Sequence, residues 1–122
     1  MNFKLGSTFV FALILVGCEK PKSPSTLVAG GNPSTGRAVM TDLGCSSCHT
    51  IPGVPGADAL VGPPLTQMAS RVYIGGVLKN TPENMIRWLK NPPGVDPMTA
   101  MPNLHVTDQQ ARDLAGYLYT LR

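Results

Sequence analysis

The sequence predicts an all-α fold, and three observations support that prediction. Apolar residues recur at helical spacing in several short segments, whereas no segment shows the alternation of apolar and polar residues that marks a half-buried strand. Residue types typical of helix starts precede two of these segments. The 13 glycines and 12 prolines predict many turns between short helices, and 122 residues are enough for one domain.

The first helix is predicted over residues 36–43, which contain four apolar side chains (Ala38, Val39, Met40 and Leu43). Gly44 follows as a residue that commonly ends helices, and Cys45 comes directly after it. A glycine- and proline-rich loop is predicted over residues 50–62. A short helical segment should then run over residues 65–72.

Two further helices have clear start signals. Thr81 can cap the first of them, Pro82 suits the first helical position, and Glu83 complements the helix dipole. Residues 91–94, Asn-Pro-Pro-Gly, should end it. The last helix begins with the Thr107-Asp108-Gln109-Gln110 capping-box pattern and presents a helical apolar face (Leu114, Tyr117, Leu118 and Leu121).

The motif Cys45-Ser46-Ser47-Cys48-His49 follows the first helix and has the spacing of c-type haem attachment. Two thiols three positions apart can form thioethers with the porphyrin, and the adjacent imidazole of His49 can ligate the iron. A zinc site would need four ligands, for which only Cys18 and His105 could join the motif. A dithiol redox site would need a βαβ context, which the pattern lacks. The motif therefore predicts one covalent haem.

The first 33 residues read as a targeting segment and a tether. Residues 1–17 combine a positive start with an apolar run too short for a confident membrane-spanning helix. The run ends in Leu15-Val16-Gly17-Cys18, which resembles the lipobox of bacterial lipoprotein signal peptides. That resemblance implies cleavage after residue 17, acylation of Cys18, and a location outside the cytoplasm. Residues 18–33, rich in Pro, Ser, Gly and Lys, then form a flexible tether to a folded domain over residues 34–122.

The charge balance argues against a nucleic-acid partner. The chain has 10 basic and 7 acidic residues, and its formal net charge is +3. A field of that size provides neither the footprint for a polyanion nor strong electrostatic steering toward a protein partner.

A haem iron held by His49 needs a sixth ligand or has an open position. Three candidates lie in one loop: Met101, which we prefer, Met98, and His105. A methionine thioether favours ferrous iron and raises the reduction potential, whereas a second histidine would give a lower one.

Together these residues make the domain resemble a class I cytochrome c over about residues 34–122. The resemblance implies that fold, with three main helices and loops around one covalent haem. It rests on five elements of the sequence: Gly36 with the first helix, the Cys45–His49 motif, Gly62-Pro63-Pro64-Leu65, Met101-Pro102 and Tyr117-Leu118. Residues 80–104 are similar in particular to the cytochrome c domain fused to subunit II of some haem-copper oxidases.

The resemblance also implies roles for individual residues. The carbonyl of Pro63 would accept a hydrogen bond from Nδ1 of His49, and so orient the ring. The Trp88 indole N–H would bind a haem propionate, and Arg71 would pair with one. Gly36 would let the first helix pass closely over the last one near Tyr117.

The expected function is one-electron transfer by a membrane-tethered monomer in a respiratory chain. The protein would not be an enzyme in its own right, and a terminal oxidase or another respiratory complex would be its redox partner. The alternative is a haem enzyme or gas sensor with a labile sixth ligand, similar to a peroxidase, which would need catalytic groups beside an open iron position. A tethered thiol-disulfide protein is a third interpretation of the two cysteines.

Overall fold

The structure is a computed structural model that describes residues 27–122. The predicted signal peptide, the lipidation site Cys18 and most of the predicted tether lie outside the described residues.

The all-α prediction is confirmed. The described chain contains α1 (Pro33–Asp42), α2 (Pro82–Lys90), α3 (Pro92–Val95) and α4 (Asp108–Leu118). Single turns of 3-10 helix occupy Cys45–Ser47 and Met68–Ser70. The only sheet in this part of the chain pairs two antiparallel two-residue strands, β1 (Tyr73–Ile74) and β2 (Leu78–Lys79).

Helix α1 begins three residues earlier than predicted, because Asn32 caps it. The Asn32 side chain accepts hydrogen bonds from the backbone N–H groups of Ser34 (3.0 Å) and Thr35 (3.2 Å), and Pro33 occupies the first helical position. The missed cap lay in the Gly-Asn-Pro sequence that we had assigned to the tether.

Packing also begins before residue 34, the predicted start of the domain. Val28 is only 1% exposed and belongs to the core. The Gly30 carbonyl accepts from the Gln109 side chain (2.7 Å), and the Asn32 backbone N–H donates to the buried carboxylate of Asp113 (2.8 Å). Residues 28–33 therefore pack with the folded domain, because Val28 belongs to its core and side chains of α4 bond the backbone at Gly30 and Asn32.

The start signals of the other two main helices act as predicted. Thr81 accepts from the Asn84 backbone N–H, and Pro82 opens α2. At α4, Thr107 and Gln110 form a complete capping box, in which each side chain accepts from the other's backbone N–H. Helix α2 ends at Lys90, directly before the Asn-Pro-Pro-Gly sequence that was expected to end it. Asn91 then caps α3, a single helical turn.

The core is organised by the crossing of α1 and α4. A Cβ atom on Gly36 would lie only 2.0 Å from the Asp113 carbonyl oxygen, so the two backbones touch there and only glycine fits. The resemblance implies a close passage near Tyr117; the contact lies one helical turn earlier, at Asp113. Met40 and Leu114, each 2% exposed, pack in the core beside this crossing.

The helix expected over residues 65–72 is reduced to the 3-10 turn Met68–Ser70. Gln67 adopts a left-handed conformation (φ 54°), and the chain turns extended at Arg71. Met68 is buried, but Val72 is 69% exposed, so a helix over these residues would have no continuous apolar face to bury. No helix in residues 27–122 is long and apolar enough to cross a membrane.

Candidate haem site

A cavity of about 510 Å³ lies between the Cys45–Ser47 turn, the β1–β2 hairpin, α2 and the loop before α4. Its volume falls within the range of roughly 300–1,000 Å³ that proteins use for cofactors. Most of its wall is apolar side chains, with core residues such as Met68, Ile74 and Met85 among them.

The two motif cysteines are half-buried free thiols on this wall. Gly44, in a left-handed conformation (φ 69°), turns the chain out of α1. The backbone N–H groups of Cys48 (3.2 Å) and His49 (3.1 Å) then both donate to the Cys45 carbonyl. This tight turn brings Cys45, Cys48 and His49 to one cavity. Burial raises the pKa of the Cys45 thiol, so the uncharged form is favoured.

The ring of His49 is oriented by a hydrogen bond to Pro63, as predicted. Its Nδ1 atom lies 2.7 Å from the Pro63 carbonyl oxygen. A carbonyl can only accept, so Nδ1 must carry the proton. In the neutral imidazole, this leaves the lone pair of Nε2 free for a metal ion.

Gly62 allows this arrangement, a role that its place in the Gly62-Pro63-Pro64-Leu65 element does not by itself predict. Its backbone N–H donates to the Cys48 carbonyl (2.7 Å). A Cβ atom at Gly62 would lie 2.5 Å from Cε1 of His49. The chain therefore passes directly against the imidazole. A glycine immediately before the two prolines was the available signal.

Of the three candidates for the sixth ligand, Met101 alone lines the cavity. It is half-buried, and its backbone N–H donates to the Thr99 hydroxyl (3.2 Å). Met98 is 90% exposed to solvent. His105 is also exposed, in a left-handed conformation (φ 53°) outside the cavity lining.

Trp88 and Arg71 both line the cavity. Trp88 is 8% exposed, and its ring lies so close to Gly75 that a Cβ there would approach the ring to 2.6 Å. The Arg71 guanidinium donates through Nη2 to the carbonyls of Pro64 and Thr66, the latter at 2.9 Å.

Two polar residues behind the cavity wall were missed from the sequence. The Asn80 side chain donates to the carbonyl of Arg71, and the Tyr119 hydroxyl donates to Asn80. They are 39 residues apart in the chain, so no local pattern predicts their contact.

The residues present fit a covalently attached haem. Two thiols and a correctly protonated imidazole share one edge of a large apolar cavity, which also contains a methionine thioether. Within residues 27–122, no three His, Cys, Asp or Glu side chains form a cluster that could hold a metal ion. The fold and site thus define a small domain built around c-type haem.

Comparison with known proteins identifies the family. The profile of the family described as "Cytochrome c" matches residues 33–122, and the chain belongs to that family. It is therefore a class I cytochrome c domain, with Cys45 and Cys48 in place for covalent haem attachment and a haem-based electron-transfer function.

Two relatives agree with the similarity to oxidase domains. The chain is 32% identical over 90 residues to cytochrome c oxidase subunit 2 of Alkalihalophilus pseudofirmus, a match covering 71% of this chain and 25% of that protein. It is 30% identical over 82 residues to cytochrome c oxidase subunit 2 of Bacillus sp. strain PS3, covering 64% and 23%. The chain thus spans about a quarter of the length of these relatives.

Proposed function

We propose that this protein is a membrane-tethered one-electron carrier in which His49 and Met101 would both hold the haem iron. The observation that carries the proposal is that Met101 and His49 line one cavity, whereas Met98 and His105 do not. With both positions filled by protein, no substrate binds at the iron.

The haem supplies the reversible Fe(II)/Fe(III) couple, and the chain sets its environment. His49 offers Nε2 to the iron, since Nδ1 is engaged by Pro63. Met101 offers a neutral, soft sulfur, which favours the ferrous state. The apolar wall lowers the local polarity and limits access of water, which further tunes the potential.

Trp88 and Arg71 are proposed to bind the haem carboxylates. Both line the cavity, and the Trp88 indole has one N–H to donate. Arg71 uses Nη2 for two backbone carbonyls. A guanidinium has five N–H donors, so others remain for a carboxylate.

Electrons would enter and leave at the open side of the cavity. Val61 and Tyr73 line it and are 81% and 58% exposed, so the rim faces solvent there. A partner that covers this rim would come close to the cofactor.

Acylation at Cys18 would hold the domain at the outer face of a bacterial membrane, on the periplasmic side, where c-type haem is attached. Two of the relatives are oxidase subunits, which supports a respiratory complex such as a terminal oxidase as the redox partner. We propose that the carrier acts as a monomer and performs no catalysis on its own.

Ligand binding to the ferrous holoprotein tests this function against the enzyme or sensor alternative. The proposal predicts that carbon monoxide leaves the ferrous spectrum unchanged, because Met101 occupies the iron. It also predicts that peroxide supports no turnover of a reducing dye. Immediate conversion to a carbon monoxide adduct would favour the alternative.

A further inference from the structure

Asn80 connects three separate segments behind the haem cavity. Its side-chain N–H₂ group donates to the carbonyls of Met68 and Arg71, both at 2.8 Å. Its backbone N–H donates to the Val72 carbonyl (2.9 Å). Its side-chain oxygen accepts from the Tyr119 hydroxyl (2.7 Å). Every polar atom of the Asn80 side chain therefore has a partner.

Two of those partners belong to residues of the cavity wall. Met68 is 5% exposed, Arg71 is half-buried, and both line the cavity. Their backbone lies at the point where the 3-10 turn becomes extended. The strand that follows, β1, has only two residues, too few ladder bonds to fix the position of this backbone. Asn80 supplies the missing constraint.

From Arg71, the connection continues to the proximal histidine. The guanidinium holds the carbonyls of Pro64 and Thr66. Pro63 and Pro64 are consecutive: their rings fix φ at both residues, and Pro64 also confines ψ of Pro63 to extended values, so the segment that carries both carbonyls is stiff. The Pro63 carbonyl is the one that accepts from Nδ1 of His49 (2.7 Å).

Tyr119, the hydrogen-bond partner of Asn80 on the side away from Arg71, lies in the core. Tyr119 is 6% exposed and follows α4 directly. Its burial raises its pKa to about 12, so the phenol keeps the proton that it donates to Asn80 at any physiological pH.

We propose that Asn80 and Tyr119 are positioning residues for the axial histidine. They fix Arg71, which fixes the Pro63–Thr66 segment and thereby the acceptor of the His49 Nδ1 hydrogen bond. This inference rests on the proposed ligation by His49. Hydrogen-bonded partners behind a metal ligand orient the ligand and raise its basicity. A looser acceptor therefore gives a less basic imidazole and a less stable ferric state.

The test uses the charge-neutral variant Tyr119→Phe in the haem-loaded protein. We expect the Nδ1 proton of His49 in the ferrous form to exchange with deuterium at least about fivefold faster. Loss of one hydrogen bond of ordinary net strength changes the equilibrium between closed and open forms by about this factor. We also expect the midpoint potential to rise, while the far-red Met–iron band of the ferric protein is retained.

Thr120→Val is the matched control. It removes a hydroxyl from the residue next to Tyr119. That hydroxyl donates to the carbonyl of Tyr117 and takes no part in the hydrogen bonds that link Tyr119 to Arg71. Its exchange rate and potential should equal those of the wild type. If Tyr119→Phe lowers the melting temperature but leaves exchange and potential at the control values, Tyr119 is merely structural and the proposal is wrong.

Asn80→Ser provides a second route if Tyr119→Phe does not fold. It removes both side-chain N–H donors and leaves a hydroxyl for Tyr119, and the same faster exchange is expected. Unchanged exchange in this variant overturns the proposal. Absence of the Met–iron band from the wild-type spectrum would instead refute the proposed ligation. Failure of the positioning proposal and failure of the ligation proposal are therefore distinguishable.

Discussion

Nδ1 of His49 lies 2.7 Å from the carbonyl oxygen of Pro63, 14 residues further along the chain. This single contact decides which nitrogen of the ring is free, because a carbonyl accepts only from a protonated nitrogen. It also explains the close passage of Gly62, whose backbone must lie against the ring to bring Pro63 into reach. Attachment of the haem, and the ligation that we propose, thus depend on one tight turn and one distant loop.

Replacement of Met101 by Ala should abolish the far-red Met–iron band and lower the midpoint potential, because the thioether that favours ferrous iron is lost. Met98→Ala is the matched control in the same loop. Met98 is 90% exposed, so its removal should leave the band and the potential nearly unchanged. The reverse pattern would transfer the ligand role to Met98. Optical spectra and redox titrations of both variants check this prediction.

Two glycines at the α1–α4 crossing should respond oppositely to a methyl group. At Gly36, the added Cβ would meet the Asp113 carbonyl oxygen at 2.0 Å, and we expect a loss of about 3 kcal/mol in the free energy of unfolding. At Gly116, the nearest atom would be 3.6 Å away, an ordinary contact. Gly116→Ala should therefore be neutral or stabilising by up to about 1 kcal/mol. Denaturant unfolding of the two variants measures both values, and equal effects would contradict the close crossing.

Stability should fall at alkaline pH because of Tyr119. Its pKa is raised from 10.0 to about 12 by burial, so the unfolded chain loses the phenolic proton first as the pH rises. Between these two values the unfolded state binds fewer protons, and raising the pH favours unfolding. Its contribution is fully present below pH 10 and is lost towards pH 12. Unfolding curves at pH 9 and 11 should show a smaller loss in Tyr119→Phe than in the wild type. An equal loss in both would contradict the assignment to this residue.

Cys18→Ser should release the haem-loaded protein from membranes, because the acyl chains provide the binding energy. The measurement is the haem content of the membrane and soluble fractions after a high-salt wash, which removes proteins held only by charge. Continued tight association of the variant with membranes would refute lipidation at this residue.

The parts of the fold that follow from local chemistry were predictable. Thr81 and Thr107 cap their helices with side chains that reach only to the next turn, so the signal lies within four residues. The attachment motif is equally local, since Cys45, Cys48 and His49 occupy one turn of chain.

The parts that depend on distant contacts were not predictable from pattern alone. The β1–β2 hairpin has two residues in each strand, too few to show alternation. The N-terminal boundary was placed too late because Val28 belongs to the core and the Asn32 backbone N–H bonds Asp113, 81 residues further along the chain. The bond from Tyr119 to Asn80 spans 39 residues and has no local signature.

A potentiometric titration monitored by the optical spectrum tests the central claim most directly. A carrier with His49 and Met101 on the iron should show one reversible one-electron transition, together with the far-red Met–iron band in its ferric form. A high-spin ferric spectrum without that band, or iron that binds added ligands at once, would contradict the account.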